Sequence, residues 1–169
     1  MYKIIDMDKL ALLVHEEQSK GKRFVMPIGT FNPARRHHYE LFREAAESGI
    51  VTVAMNSDPS LSVYRNGNGR NDRIFPFDYR AELVSRSPHV THITAFDDPK
   101  AVRAIETILP DEIWKGPDYA LGTIDQDERR KAEELGIKIC FGSGCPKDPV
   151  NLKTWLEDYM NWLYPTGAF

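Results

Sequence analysis

The sequence predicts an α/β fold, in which a doubly wound, five-stranded parallel sheet carries helices on both faces. Segments with strand patterning and segments with helix patterning alternate five times along the 169 residues. Such alternation builds a parallel sheet through right-handed crossovers. Segment 50–55 is an almost continuous apolar run, as expected of a parallel strand that is buried on both faces. We therefore predict a Rossmann-like sheet, whose ligands bind outside the carboxyl ends of the strands.

Each element follows from its own local signals. Helices are indicated by apolar residues three and four positions apart, as at Leu10, Leu13 and Val14, and by stops such as Gly21. The strands are predicted at 22–28, 50–55, 90–96, 112–115 and 137–141. The helices are predicted at 8–20, 37–48, 78–87, 98–109, 125–135 and 150–163. Segment 60–76, which contains several glycines and arginines, is expected to be irregular.

Composition and charge narrow the class of protein. The chain is 41% apolar and 28% charged, which is typical of a globular domain with its own core, and we expect one domain over 1–169. The net charge of -3 gives no general attraction to nucleic acid. No apolar run reaches the eighteen or so residues that a membrane span needs. Cys140 and Cys145 match no zinc spacing. The N-terminus lacks the apolar core of a signal peptide, so a cytoplasmic location is expected.

Residues 24–38 form the most informative stretch. A short apolar strand reaches Gly29, crosses an Asn-Pro turn and enters a helix through two arginines and two histidines. A glycine at a strand end lets the backbone approach a bulky ligand, and the N–H groups and dipole of the following helix attract an anion. Basic residues in a first helical turn oppose the dipole unless an anion is bound there. The pattern of Arg35, Arg36 and His38 therefore predicts a phosphate site.

At this stretch the sequence resembles the cytidylyltransferase-like nucleotidyltransferases, whose first signature reads Gly-Thr-Phe-Asp-x-x-His-x-Gly-His. The resemblance runs over most of the chain. It is closest to heptose 1-phosphate adenylyltransferase domains, with glycerol-3-phosphate cytidylyltransferases next. The positions that match the signature are Gly29, Thr30, Phe31 and His38. The positions that depart from it are Asn32 for the acid, Arg35 for the first histidine and His37 for the glycine.

The resemblance implies roles for several of these residues. His38 would bond the α-phosphate as charge develops during transfer, and Arg35 would clamp phosphate oxygens in place of the missing histidine. Lys115 would reach the phosphates, since residues 115–119 resemble the Lys-Gly-Gly-Asp-Tyr element of the heptose enzymes. The implied catalytic residues are His38, Arg35 and Lys115. The implied nucleotide-binding residues are Gly29, Thr30, Phe31, Asn32, His38, Arg80, Lys115, Asp118 and Tyr119.

A second site, for the acceptor, is expected in the loop after the next strand. A flexible basic loop at a strand end suits a phosphorylated substrate, and the resemblance implies that basic residues of this loop meet the acceptor. The implied acceptor-binding residues are Asn56, Asp58, Arg65 and Arg70. The run of serines and threonines that the family carries before its last helix is missing here, and only Ser143 and Lys147 could substitute for it. No role is assigned to His37.

These features favour an enzyme that transfers a nucleotidyl group from ATP or CTP to a phosphorylated small molecule, such as a sugar phosphate, and releases pyrophosphate. Mg²⁺ would arrive with the triphosphate, because the sequence offers no carboxylate cluster for it; no protein ligands to a metal are expected. Two alternatives stay open: a nucleotide-binding module that has lost catalysis, and a flavodoxin-like interaction domain. The base, the acceptor and the oligomer also stay open, and a homodimer through the aromatic C-terminal segment is one option.

Overall fold

The computed structural model describes residues 3–67 and 75–144. Its strands are β1 (Lys3–Ile4), β2 (Phe24–Gly29), β3 (Ile50–Asn56), β4 (Val90–Phe96), β5 (Glu112–Lys115) and β6 (Lys138–Phe141). Its helices are α1 (Met7–Ser19), α2 (Arg36–Ala45), α3 (Asp58–Gly67), α4 (Phe77–Ser85), α5 (Val102–Ile108) and α6 (Gln126–Glu134). None of these described helices is long and apolar enough to cross a membrane. Arg70, Cys145, Lys147 and the helix expected at 150–163 lie outside the described residues.

The α/β class and the doubly wound parallel sheet are confirmed. All strand pairs are parallel, and the order across the sheet is β1-β4-β3-β2-β5-β6. The five strands expected from the sequence are β2 to β6. The sequence-based expectation lacks only β1, whose two residues pair with His92 and Ile93 of β4. Two strand residues directly before a helix show too little periodicity to be recognised, and only the tertiary fold selects their partner.

The core has two apolar layers, one on each face of the sheet, because alternate strand residues point to opposite faces. Along β2, Phe24, Met26 and Ile28 pack into the layer covered by α1, α5 and α6, whereas Val25 joins the layer covered by α2 and α4. All four side chains are buried. Because both faces of β2 and β3 are covered, their sequences are nearly continuous apolar runs rather than alternating patterns.

The chain after β3 is helical, which corrects the irregular loop expected over 60–76 for the part that the structure describes. Helix α3 begins here because Ser57 caps it. The Ser57 carbonyl accepts from the Leu61 N–H at 2.8 Å, and the Ser57 hydroxyl oxygen accepts from the Ser60 N–H at 3.3 Å. Pro59 is tolerated in the first turn of a helix, and Leu61 is fully buried. The prediction gave too much weight to the glycines and arginines further along, and too little to this cap.

Helix α5 begins at Val102 rather than at Asp98, where the sequence predicts its start. Contacts from two other helices account for the difference. The Asp98 carbonyl accepts a hydrogen bond from the Ser60 hydroxyl of α3 at 2.5 Å. The Ala101 N–H donates to a carboxylate oxygen of Glu128 in α6 at 2.9 Å. Tertiary partners therefore satisfy the backbone groups that a local capping residue would satisfy in an isolated helix.

Replacing Leu61 by alanine tests whether α3 packs on the sheet. Truncating a fully buried leucine lowers the free energy of unfolding by about 2–5 kcal/mol. Val63 lies on the same helix but is 56% exposed, so Val63→Ala is the matched control and should change this free energy by less than about 0.5 kcal/mol. Urea denaturation of both variants measures the difference. Equal and small effects would contradict the burial of α3.

Candidate functional site

The order of strands reverses between β2 and β5, and this is where open α/β sheets bind ligands. Strand β2 has β3 on one side and β5 on the other. Gly29 is the last residue of β2 and Lys115 is the last residue of β5. The two strands pair in parallel, with Pro27 opposite Trp114. The topology therefore brings the two motif stretches identified in the sequence to the same edge of the sheet.

The turn from β2 into α2 is built around the ring of Phe31. This residue has a φ of 45°, an uncommon left-handed conformation for a residue other than glycine, and its side chain is buried. The ring packs against His38 and Phe42, with ring centroids 5.0 and 5.4 Å away. A Cβ at Gly29 would lie 3.1 Å from this ring, so glycine lets the ring fold back over the end of β2. In this structure Phe31 supports His38 rather than presenting its ring to solvent.

His38 is held in one orientation and one protonation state. The backbone N–H of Arg35, the residue that precedes α2, donates to His38 Nδ1 at 2.9 Å. Burial, with smaller contributions from the nearby charges of His37 and Arg35, lowers the pKa of His38 from 6.5 to about 3. The imidazole is therefore neutral at physiological pH. Because Nδ1 accepts a hydrogen bond, the single proton is on Nε2, and His38 offers one N–H donor of fixed direction.

That donor lies next to a second imidazole. His38 Nε2 is 3.1 Å from His37 Nε2, and the two rings are tilted by 48° with centroids 4.0 Å apart. Since the His38 proton is on Nε2, His38 donates in this pair and His37 accepts. Sequence reasoning missed the contact, because neighbouring residues of a helix project about 100° apart and no local signal shows that the rings converge.

The entrance of α2 is basic, as the sequence predicts. Arg35 is partly buried, Arg36 is exposed, and the first turn of the helix contains no acidic residue. Each positive charge at this helix end is unfavourable with respect to the dipole until an anion is bound. Gly29 and Thr30 lie beside this entrance and are partly accessible. The arrangement is therefore suited to a phosphate group placed against the end of β2.

Arg80, for which the resemblance implies nucleotide binding, is fully buried and is bonded by the protein itself. Its guanidinium donates to three backbone carbonyls and one carboxylate. The acceptors are the carbonyls of Phe75 at 2.8 Å, Thr30 at 2.9 Å and Asn56 at 2.9 Å, and Asp58 Oδ1 at 2.8 Å. These bonds join the carboxyl ends of β2 and β3 to the start of α4. A buried guanidinium is tolerated only with such compensation, so the structure gives Arg80 a positioning role.

Three further predicted residues belong to the same network. Asn56 donates from Nδ2 to a serine hydroxyl of α3 at 2.8 Å. Asp58 Oδ2 accepts from the Phe77 N–H at the start of α4 at 3.1 Å. Asn32 Oδ1 accepts from the Phe75 N–H at 2.7 Å, which connects the β2–α2 turn to the segment before α4. These side chains hold the turns around the site in place, and their contacts with substrates stay a prediction.

Lys115 ends β5 inside a largely buried ion pair. Its Nζ atom lies 2.5 Å from Glu128 Oε2, and the two side chains are 10% and 7% exposed. The other carboxylate oxygen of Glu128 accepts from the Ala101 N–H at 2.9 Å, so the acid is fixed from two sides. Sequence reasoning missed Glu128, because a glutamate in the first turn of a helix is ordinary and its partner is set by tertiary structure. Lys115 has to exchange or share this partner in order to contact a phosphate.

The loops after β5 and β6 place the remaining predicted residues. Asp118 and Tyr119 are exposed on the turn after β5. A Cβ at Gly116 would lie 2.7 Å from Asp118 Oδ1, so a larger residue at 116 would require the exposed Asp118 side chain to move. After β6, Ser143 is bonded to α2, because its N–H donates to a Glu44 carboxylate oxygen at 2.8 Å and its hydroxyl donates to the same carboxylate. Ser143 is thus already engaged by an acid in this structure.

The predicted site residues fall into three groups along the edge of the sheet. Those around the β2–α2 turn are Gly29, Thr30, Phe31, Asn32, Arg35, His38 and Arg80. Those at the end of the neighbouring β5 are Lys115, Asp118 and Tyr119. On the other side of β2, Asn56 ends β3, and Asp58 and Arg65 lie in α3. Arg70 is outside the described residues.

Comparison with known proteins identifies relatives of this chain, although no protein-family model matches it. It is 31% identical to the bifunctional protein HldE of Geotalea uraniireducens over 118 residues, which are 69% of this chain and 24% of the relative. It is 31% identical to the bifunctional protein HldE of Psychromonas ingrahamii over 149 residues, which are 87% of this chain and 31% of the relative. The chain therefore spans only about a quarter to a third of the length of these proteins.

A solved structure shares the fold. The crystal structure of the lipopolysaccharide core biosynthesis protein from Thermoplasma volcanium is 27% identical and superposes with a TM-score of 0.60. The match covers 75% of this chain and the whole of that chain. The solved protein is therefore matched over its full length, unlike the longer bifunctional relatives.

Removing the Arg80 guanidinium should destabilise the fold before it affects any ligand. Arg80→Met removes the Arg80 donors from three carbonyls and from Asp58 Oδ1, which should lower the free energy of unfolding by about 3 kcal/mol or more. Arg86 at the end of α4 pairs with Glu82, and its side chain is 56% exposed. Arg86→Met is therefore the control and should cost at most about 1 kcal/mol. Denaturation midpoints of the two variants measure this; equal losses would remove the positioning role of Arg80.

The lowered pKa of His38 predicts how stability depends on pH. Between 6.5 and about 3 the unfolded chain binds a proton at His38 that the folded chain does not bind. Stability therefore falls as the pH drops through this window, and the His38 contribution is constant above it. His38→Gln cannot titrate, so it should lose less stability than the parent between about pH 7 and about pH 5. Urea denaturation at both pH values checks this, and parallel losses would contradict a neutral His38.

Proposed function

Since this chain is homologous to the bifunctional HldE proteins, in their cytidylyltransferase-like domain, we propose that it is a nucleotidyltransferase. It transfers a nucleoside monophosphate from a nucleoside triphosphate to a phosphorylated small molecule, such as a sugar phosphate, and releases pyrophosphate. The observation that carries this proposal is the state of His38. Its imidazole is neutral, is oriented by the Arg35 N–H, and lies at the basic N-terminal end of α2. A fixed N–H donor of this kind can form a hydrogen bond with an oxygen of the α-phosphate.

In this proposal the triphosphate binds against the β2–α2 turn. Gly29 and Thr30 end the strand there, Arg35 and Arg36 supply positive charge, and the N-terminus of α2 adds its dipole. Arg35 binds phosphate oxygens through its guanidinium, which can grip two of them at once. Asp118 and Tyr119, exposed on the turn after the neighbouring strand, line the space for the base or the sugar.

In the reaction, an oxygen of the acceptor phosphate forms a bond to the α-phosphorus. The bond from that phosphorus to the bridging oxygen breaks, and pyrophosphate leaves with the electron pair. In this step His38 Nε2–H leaves its His37 acceptor, which lies 3.1 Å away in the free protein, and donates to a non-bridging α-phosphate oxygen, where it stabilises the charge that builds up. Lys115 contributes a positive charge if substrate binding draws its ammonium group away from Glu128, which lies 2.5 Å from it in the free protein.

Mg²⁺ would neutralise charge on the triphosphate during transfer. Among residues 3–67 and 75–144, no group of three or more histidine, cysteine or acidic side chains could hold a metal ion. In this proposal the ion is coordinated mainly by phosphate oxygens and enters with the nucleotide. The protein's own part in metal binding is then to orient the triphosphate that carries the ion.

In this proposal the acceptor binds on the β3 side of the triphosphate. Asn56 and Asp58 lie at the carboxyl end of β3, and Arg65 follows in α3. Arg65 and Arg70 bind the acceptor phosphate in this proposal. ATP with a sugar 1-phosphate is the first substrate pair to test, and CTP with a polyol phosphate is the second, because these are the pairs that the sequence resemblance implies.

A nucleotide-binding module without catalysis is the second candidate, and specific contacts favour it. Lys115 is engaged by Glu128, Ser143 is engaged by Glu44, and Arg35 cannot donate a proton as the signature histidine could. In this reading His38 contributes ground-state affinity for phosphate only. Kinetics and binding of the same variants separate the two candidates.

A pyrophosphate-release screen of four triphosphates against sugar and polyol phosphates tests the enzyme. We expect release with at least one pair in the presence of Mg²⁺. His38→Ala should reduce kcat by about 10²–10³ while binding nucleotide nearly as well as the parent, because the lost donor acts on charge that develops during transfer. His38→Asn should recover part of the rate.

His89→Ala serves as the control for the loss of a histidine, because His89 is exposed before β4 and should leave the rate unchanged. The binding-module reading replaces the enzyme if the parent binds nucleotide, releases no pyrophosphate with any acceptor, and His38→Ala changes affinity alone.

A further inference from the structure

We infer that Glu128 is a positioning residue that competes with phosphate for the Lys115 ammonium group and so limits how tightly the site binds pyrophosphate. This inference rests on the proposed function, because it takes Lys115 as a phosphate-binding residue. It goes beyond that function because Glu128 lies outside both sequence motifs of the resemblance, residues 29–38 and 115–119. An acid beside a phosphate-binding lysine acts against the ligand, which is the opposite of what a supporting side chain does.

Glu128 is anchored by contacts that do not involve Lys115. Asp125 caps α6, and its carboxylate accepts from the Glu128 N–H at 3.2 Å. One Glu128 carboxylate oxygen accepts from the Ala101 N–H at 2.9 Å, and Ala101 is fully buried at the start of α5. The Glu128 side chain is only 7% exposed. These contacts keep its negative charge beside the end of β5 when a ligand binds.

The other carboxylate oxygen of Glu128, Oε2, has the Lys115 ammonium group as its partner. It lies 2.5 Å from Lys115 Nζ, and apart from this contact it has no hydrogen-bond partner among the described residues. A buried carboxylate oxygen that loses its partner costs free energy, so Glu128 keeps a strong hold on the ammonium group. In the parts of the chain that the structure describes, Lys115 has in turn no other ion pair. The two side chains therefore form a pair whose charges cancel.

A phosphate group at the end of β5 has to bind against this pair. The phosphate attracts the Lys115 ammonium group but is repelled by the nearby Glu128 charge. Binding also draws the ammonium group from a carboxylate oxygen that is then left without a partner. Both effects weaken the affinity for anions, and both disappear when a neutral amide replaces the carboxylate. In the proposed reaction, this competition helps pyrophosphate to leave the site after transfer.

Calorimetry with inorganic pyrophosphate, Mg-ATP and adenosine tests this on the full chain. Glu128→Gln should bind pyrophosphate and Mg-ATP about tenfold more tightly than the parent, because one like charge near the phosphate is removed. Its affinity for adenosine, which has no phosphate, should stay unchanged. Glu128→Asp keeps the charge and should show a smaller gain. Glu133→Gln is the matched control and should bind all three ligands as the parent does, because Glu133 lies on the same helix, pairs with Arg129 and has a side chain that is 54% exposed.

The sign of the effect separates competition from structural support. Loss of a supporting acid would weaken the binding of every ligand, whereas loss of a competitor strengthens the binding of phosphates alone. If Glu128→Gln does not fold by itself, Lys115→Met/Glu128→Gln removes the pair as a whole, which proteins tolerate better than the loss of one buried partner. This double variant should bind pyrophosphate more tightly than Lys115→Met, which leaves the Glu128 charge beside the phosphate. Circular dichroism identifies the folded variants.

The inference is overturned if Glu128→Gln binds pyrophosphate no more tightly than the parent, or if adenosine gains as much as pyrophosphate does. For the double variant, binding that is no tighter than that of Lys115→Met has the same meaning.

The failure of the proposed function looks different. In that case the parent releases no pyrophosphate from any triphosphate, but Glu128→Gln still binds added pyrophosphate more tightly than the parent, and the inference stands while the enzyme does not. If neither the parent nor Glu128→Gln binds pyrophosphate or Mg-ATP, both are overturned.

Discussion

The buried guanidinium of Arg80 is the interaction on which the site depends. It joins the Thr30 carbonyl after β2, the Asn56 carbonyl at the end of β3 and the Asp58 carboxylate at the start of α3. The carboxyl ends of parallel strands leave backbone carbonyls without partners in the sheet, and a single cation with several donors satisfies them where water is excluded. Because the bonds are charge-assisted and directional, they also fix the relative positions of the β2–α2 turn and the carboxyl end of β3.

The β2–α2 turn, which Arg80 holds in place, determines the orientation and the protonation state of His38. The left-handed Phe31 and its packing against Gly29 and His38 orient the imidazole, and the Arg35 N–H fixes its tautomer. Burial then keeps it neutral, so a donor is available to phosphate without the cost of placing another cation at a helix N-terminus. The cationic part of the site is left to Arg35 and Arg36, whose charge does not change with pH in the physiological range.

The acidic partners of the site are the feature that sequence patterns could not supply. Lys115 was predicted from the resemblance of residues 115–119 to a family element, but Glu128 lies thirteen residues further on. It meets Lys115 only because α6, which connects β5 to β6, brings it back to the end of β5. Ser143 likewise meets Glu44, which is almost a hundred residues earlier in the chain. Glu128 offsets the positive charge of Lys115, and Glu44 engages the Ser143 hydroxyl, so neither group is free to bind another anion in this structure. In the proposed function, the triphosphate has to displace these carboxylates before Lys115 or Ser143 can contact a phosphate group.

The sequence by itself determined the α/β class and five of the six strands, because hydrophobic periodicity and helix stops are local properties. Helix-end charge also predicts a phosphate site at the Gly29–His38 turn, and this site stays a prediction. It missed the helix after β3, although Ser57 and Pro59 carry its start signals, since the glycines that follow pointed to a loop. Only the tertiary structure decided that Arg80 is a buried support, that Lys115 is paired with Glu128, and that His37 contacts His38. Those facts depend on which residues distant in sequence share a buried, low-dielectric environment, where a charge has to find a partner, and no local pattern specifies that partner.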